Sequence, residues 1–354
     1  MIFDTFVNIL KSKSIDDLSV ELNISKGTIK RWLYLKKIPK SYTFQIMKIC
    51  DIKIDYSKFS FKDKDQFFTP VPIAVQCYRK SIEIIKNYGD DDNDYIFIEP
   101  SAGSGNFVAC LPPSRRICMD IEPTGQEILE QDYLNWVPAA SAATAAAANK
   151  YIVIGNPPFG LRGQLALKFI NHSNQFADYV CFILPQLFES DGKGVPRKRV
   201  IGFNLIYSEK LETHFEEPNG KQIKVQCIFQ VWSKFHHNAD YDIATRDETT
   251  MKIYSLSDGN SPSTIRNKNM FNKCDIYIPA SCFGEKNMRY YNNFTELPGR
   301  KGYGVVFNKD KLKNISKFKS IEWNKVSFLS TNSAYNIRMS HIHNLFWTTE
   351  RQHP

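Results

Sequence analysis

The chain has 354 residues, 42% of them hydrophobic, and a formal net charge of +9. That length predicts two or three globular domains, and no apolar run approaches the ~20 residues of a membrane span. Eight cysteines without a Cys-x-x-Cys pair and seven scattered histidines argue against a zinc-type site, so no metal is expected, and reduced thiols inside a cell are.

The first 58 residues read as a helical module. Ile15, Leu18 and Leu22 recur at helical spacing behind Ser14, with Asp17 three residues on as a start signal. Asn23-Ile24-Ser25 makes a turn, and Ser25 can cap a second helix running through Leu33. A third helix spans Tyr42 to Cys50. Helix, short turn and a helix presenting Lys26, Thr28, Lys30 and Arg31 is similar to a repressor-type helix-turn-helix, so Ser25, Lys26, Thr28, Lys30 and Arg31 are candidate DNA contacts. A packing module that makes a homodimer is the alternative. Both ends of the chain are basic and the middle slightly acidic, a distribution suited to phosphate contacts. The start Met1-Ile2-Phe3-Asp4 lacks the basic region of a secretory leader, and a cytoplasmic location is expected.

Between residues 63 and 238 the pattern changes to alternating strands and loops. Ile96 to Glu99 is a short apolar strand that runs into Pro100-Ser101-Ala102-Gly103-Ser104-Gly105-Asn106. Glycines at a strand-to-loop junction let a ligand approach the backbone. The loop lacks the Gly-Lys-Ser/Thr ending of a phosphate cradle and the third glycine of a dinucleotide fingerprint. Only about ten residues, including Pro112-Pro113, separate Gly105 from the next strand, so the intervening helical segment, Phe107 to Leu111, is short. Strand Arg116 to Asp120 ends in a carboxylate suited to ribose hydroxyls, followed by Ile121. A third segment, Ile128 to Tyr133, brings Asp132 beside Tyr133. Strand Tyr151 to Gly155 then ends in Asn156-Pro157-Pro158-Phe159. The prolines fix φ and stiffen the turn. The Asn156 side chain and the Pro157 carbonyl become two rigid acceptors for the two hydrogens of an exocyclic amine, with Phe159 as a stacking face. The four residues suggest a clamp for the amino group of a nucleobase.

These motifs, in this order, resemble those of the S-adenosylmethionine-dependent amino-methyltransferases, and more narrowly the N6-adenine DNA methyltransferases whose cofactor motif precedes the catalytic motif. The resemblance spans about residues 65 to 235. It includes Phe67-Phe68-Thr69-Pro70, similar to the segment that opens these domains, and continues through Leu165–His172, Ala177–Pro185 and Val225–Trp232. It implies an α/β, Rossmann-like methyltransferase fold with a mostly parallel sheet. It also implies S-adenosylmethionine as cofactor. Phe68, Thr69, Pro70, Glu99, Pro100, Ser101, Ala102, Gly103, Gly105 and Asn106 would surround its methionine part. Asp120 would take the ribose hydroxyls, Ile121 would pack on the adenine, and Asp132 with Tyr133 would meet the adenine amine. Asn156, Pro157, Pro158 and Phe159 would hold the target base. The implied reaction is methylation of adenine N6 in duplex DNA by base flipping. Adenosine in RNA, including messenger RNA caps, cytosine N4, and an inactive DNA-binding regulator are the alternatives.

The alanine-rich run 139–149 reads as an insert without a chemical role. Residues 239–354 form the third region, of mixed α/β character. Short strands are expected at Cys274–Ile278, Arg289–Tyr291 and Gly302–Phe307, followed by the basic run Lys309–Lys319. Its position suggests target recognition or a structural extension.

Overall fold

The structure, a computed structural model, describes residues 2–347 except 23, 61–63, 65–66, 126, 140–148, 191–194, 217–219, 221, 243–248, 260–263 and 331–332. The alanine-rich run 139–149 thus lies, but for its two ends, outside the described residues.

Four helices open the chain: α1 (Ile2–Ile9), α2 (Ile15–Glu21), α3 (Lys26–Leu35) and α4 (Thr43–Ile49). Ser14 accepts from the Asp17 N–H while Asp17 reaches back to the Ser14 N–H, a reciprocal cap that starts α2. Ser25 caps α3 through the Thr28 N–H. Phe6, Leu18, Leu22, Ile29, Trp32, Tyr42 and Ile46 form one small core. The Trp32 ring is central, with edge contacts to Phe6 and Tyr42 at 5.9 and 4.6 Å between centroids.

The middle of the chain is a large, mostly parallel sheet. After α5 (Val71–Asn87) come β1 (Tyr95–Glu99), β2 (Arg116–Asp120), β3 (Leu129–Glu130), β4 (Lys150–Gly155), α6 (Gln164–Ser173), β5 (Tyr179–Leu184), β6 (Asn204–Glu216) and β7 (Gln222–Ser233). Their spatial order is β3-β2-β1-β4-β5-β7-β6. The first five are mutually parallel, and the β6/β7 hairpin adds two antiparallel strands. Alternate β1 residues serve opposite faces. Phe97 joins the core under α5, Ile98 the core under α6, and both are fully buried. A parallel sheet covered on both sides requires this. Between β1 and β2 there is no α-helix, only 3-10 turns at Val108–Cys110 and Pro113–Arg115, as the Pro112-Pro113 pair forewarns.

The remainder is built from β8 (Met251–Ser257), β9 (Ile276–Pro279), β10 (Ser281–Phe283), β11 (Lys301–Phe307), α7 (Lys311–Ser320), α8 (Trp323–Val326), β12 (Phe328–Leu329), β13 (Ala334–Asn336) and α9 (Met339–Trp347). Two three-stranded antiparallel sheets result, β8-β11-β9 and β10-β13-β12. The strand expected at 289–291 is reduced to a single bridge, Tyr291 to Tyr277. The basic run coils into α7 instead, anchored by Phe318 against Trp323. The Leu329 N–H donates to Gln226 Oε1 at 2.9 Å and fastens this region to β7.

Candidate functional site

β1 lies between β2 and β4, so the chain leaves β1 in one direction and returns on its other side. Such a switch point opens a crevice beyond the carboxyl ends of the strands. The Pro100–Asn106 loop leaves β1 there, and Asn156-Pro157-Pro158-Phe159 leaves β4 beside it. The two loops are tied directly: the Ser101 hydroxyl donates to the Asn156 carbonyl at 3.2 Å.

Glu99 closes the floor of this crevice. It is 2% exposed, and a Cβ on Gly155 would come within 3.6 Å of its Oε1. The Glu99 side chain thus lies beside Gly155 at the end of β4. Its Oε2 is buried, with no hydrogen-bond partner. Burial, then the nearby Asp120 charge, push the Glu99 carboxyl well above the usual carboxylate range. Asn156 carries a second buried, unpartnered acceptor, Oδ1. Its Nδ2 donates to the Phe67 carbonyl at 3.4 Å, which turns the amide oxygen the other way. Pro157 is buried, while Pro158 and Phe159 are half-buried, the Phe159 ring resting on the core under α5. The Phe159 carbonyl accepts from the Leu165 and Ala166 N–H groups, so the turn folds straight back into α6. Gly160 makes this possible with φ +65: a Cβ there would stand 2.7 Å from the Leu165 Cβ.

The glycine loop is held from two directions. Asp120 Oδ2 accepts from the Gly103 N–H at 2.8 Å and Oδ1 from the Glu122 N–H at 2.9 Å. Burial raises the Asp120 carboxyl, and these backbone donors offset part of the rise. From the other side, the Phe68 ring covers Gly103 (φ +50), where a Cβ would meet two ring carbons at 3.1 Å. Phe68 itself bridges to Glu216 of β6. The Thr69 carbonyl accepts from Asn106 Nδ2 at 2.7 Å, and Pro70 precedes α5. Phe68, Thr69, Pro70, Glu99, Pro100, Ser101, Ala102, Gly103, Gly105, Asn106, Asp120 and Asn156 are therefore brought together. Ile121 stands at the lip, 41% exposed.

Asp132 and Tyr133 part company. Asp132 stays at the edge beyond β3, its Oδ1 accepting from the Leu134 N–H and its Oδ2 from Lys48 and Asn135. Tyr133 turns inward, 1% exposed, and shares a 2.6 Å hydrogen bond with Ser173 among Phe169, His172 and Phe176. It belongs to the core under α6 and lines no crevice.

On α3, Ser25 and Thr28 are joined to each other, and Lys26 pairs with Asp16. Lys30 and Arg31 are exposed. Tyr34, one turn on and 86% exposed, extends their face; its helical spacing from Lys30 and Arg31 was the available signal. Sequence reasoning also passed over the 3-10 turn Pro196–Arg199. Gly163, just after the tetrapeptide loop, packs on Phe188, Pro185 and Pro196, so this turn borders the site. Asn171 of α6 grips it by two backbone bonds, to the Arg199 carbonyl and the Ile201 N–H. Arg199 Nε and Nη2 are buried without hydrogen-bond partners. The triplet Arg197-Lys198-Arg199 is plain in the sequence, but the packing of this turn against Gly163 and Asn171 is not.

Among the described residues there is no grouping of three metal-ligating side chains and no helix long and apolar enough to cross a membrane. No protein-family model and no curated protein matches the chain. Solved structures do match. A proposed RNA methyltransferase from Pyrococcus horikoshii is 17% identical over 48% of this chain and 86% of its own, with a TM-score of 0.34. The type IIG restriction endonuclease BpuSI is 15% identical over 46% and 25%, at 0.32. A Thermoplasma acidophilum protein is 17% identical over 43% and 82%, at 0.25. Scores this low assign neither family nor activity.

Proposed function

We propose that this chain is an S-adenosylmethionine-dependent methyltransferase acting on the exocyclic amine of a nucleobase, adenine N6 in duplex DNA. One observation carries the proposal: two buried, unpartnered acceptors, Glu99 Oε2 and Asn156 Oδ1, on neighbouring strand ends. Buried polar atoms without partners are costly, and such a pair on neighbouring strand ends suits donors brought by ligands.

The residues suit the cofactor. Glu99, giving up its proton on binding, would accept from an ammonium group, and Gly105, at positive φ, would let the loop with Ser101, Ala102, Gly103 and Asn106 wrap the methionine part. Phe68, Thr69 and Pro70 brace that loop. Asp120 would take the ribose hydroxyls, Ile121 would pack on the adenine, and Asp132 would meet its amine. When bound, S-adenosylmethionine supplies an electrophilic sulfonium methyl. The protein's part is to make the target amine a better nucleophile. Asn156 Oδ1 accepts one amine hydrogen and the Pro157 carbonyl the other, which favours the pyramidal nitrogen of the transition state over the planar ground state. Pro157 and Pro158 keep these acceptors rigid. Flipping a base out of a duplex costs a few kcal/mol, and stacking on Phe159 offsets roughly 1–3 kcal/mol of it.

Duplex DNA is favoured by the α2–α3 pair, read as a helix-turn-helix with Lys26, Thr28, Lys30, Arg31 and Tyr34 on the outer face of α3. Lys198, exposed on the Pro196–Arg199 turn, would add a phosphate contact. The test is to incubate the chain with labelled S-adenosylmethionine and duplex DNA, single-stranded DNA or RNA, then digest to nucleosides. N6-methyladenosine from duplex DNA is expected. Label in RNA alone moves the substrate class, label on cytosine moves the base, and no label with any polymer overturns the activity.

A further inference from the structure

We propose that the N-terminal helical module forms one wall of the cofactor site, with the segment Lys53–Tyr56 closing over the adenosine end. This rests on the methyltransferase reading above and extends it to residues far outside the sheet.

Residues 53–56 and Glu122 line an open depression of about 530 Å³. Glu122 follows Asp120 and Ile121 directly, and the Gln131 N–H donates to the Asp120 carbonyl, which places Asp132 at the same edge. Two contacts dock the module there, and the connection that follows it adds a third. Lys48 of α4 reaches Asp132 Oδ2 at 3.3 Å. Lys64 reaches Glu122 Oε2 at 2.8 Å, with the lysine side chain only 17% exposed. Leu161, from the loop after the catalytic tetrapeptide, packs on the module's own apolar core. The module is thus fastened to the cofactor edge and to the base-binding loop together. Burial raises the Tyr56 phenol, and the charges of Asp132 and Glu122 raise it further, as expected of a ring standing over that edge. Tyr56 is half-buried and aromatic, and a heterocycle lying on Ile121 would have it as the opposing surface.

Cofactor affinity should therefore depend on residues of the helical module. Calorimetry with S-adenosylmethionine, and separately with adenosine, tests this on the full chain. Lys64→Glu and Tyr56→Ala are each expected to weaken both ligands about three- to fivefold, the scale of one partly exposed ion pair or one packing face. Combining Lys64→Glu with Glu122→Lys restores the pair and should restore affinity. Thermal unfolding of each variant separates this from general damage. Unchanged dissociation constants in both single variants, or no recovery in the swap, overturn the wall. Tighter binding in Lys64→Glu also overturns it, since the segment would then be excluding ligand. Failure of the unaltered chain to bind S-adenosylmethionine overturns the proposed function instead.

Discussion

Replacing Asn156 by alanine should remove methyl transfer while leaving the fold intact, and the structure sets the size of both effects. The side chain makes one weak bond, Nδ2 to the Phe67 carbonyl at 3.4 Å, worth at most about 0.5 kcal/mol at that length. Against this, Oδ1 is buried and unpartnered, a cost of about 1–3 kcal/mol. The backbone bond from Ser101 survives truncation. Losing a contact worth about 0.5 kcal/mol together with an unpaired atom that costs about 1–3 kcal/mol should leave the chain no less stable, with a net gain of about 0.5–2.5 kcal/mol and no fall in melting temperature. The chemical effect is far larger. An acceptor engaged fully only in the transition state is worth about 100- to 1000-fold in rate. Labelled methyl transfer into duplex DNA, calorimetry with S-adenosylmethionine and thermal unfolding give the three readouts. Turnover within threefold of the unaltered chain would refute the clamp. A fall of ten degrees in melting temperature would show Asn156 to be structural.

Other outcomes follow from the same geometry. Gly160→Ala meets both a positive φ and the Leu165 Cβ at 2.7 Å, so it should cost about 2–4 kcal/mol in denaturant unfolding; a change below about 0.5 kcal/mol would contradict the tight turn into α6. Burial raises the Glu99 carboxyl in the folded chain, which therefore keeps a proton that the unfolded chain has lost. Stability should fall as pH rises from the ordinary glutamate range through the raised value, and Glu99→Gln should flatten that fall in melting curves taken across pH. Lys198→Ala, at the exposed position of the Pro196–Arg199 turn, should weaken nucleic-acid binding in salt titrations and lower the salt slope by about one, with cofactor affinity unchanged; an unaltered slope would remove the turn from the phosphate path. Combined Lys30→Ala, Arg31→Ala and Tyr34→Ala should reduce duplex affinity in gel shift or anisotropy and spare calorimetric cofactor binding, and equal loss of both would argue against α3 as the DNA-facing helix.

Much of the local structure around the candidate site was legible in the linear sequence because its signals are local. Ile96 to Glu99 is a short apolar run before a glycine loop, and Tyr151 to Gly155 ends in two prolines; either pattern restricts the backbone over a few residues whatever surrounds it. The same holds for the caps at Ser14 and Ser25. Buried runs joined by long connections predict a mostly parallel sheet, but not that β1 pairs with β4. What no local pattern carries is which side of a segment meets which partner. Asp132 and Tyr133 are neighbours in sequence, yet one faces the crevice edge and the other fills the core under α6, because the short 3-10 turn at Tyr133–Asn135 sends successive side chains apart. Asp120 looked like a free ribose acceptor and proved also to brace Gly103. The helical module looked separable from the cofactor domain, but Lys48 and Asp132, 84 residues apart, pair across the two, and Leu161 sits in the module's core. These contacts join segments that never meet in an extended chain. They exist only once apolar burial has fixed the sheet, and that burial is a property of the whole packed molecule.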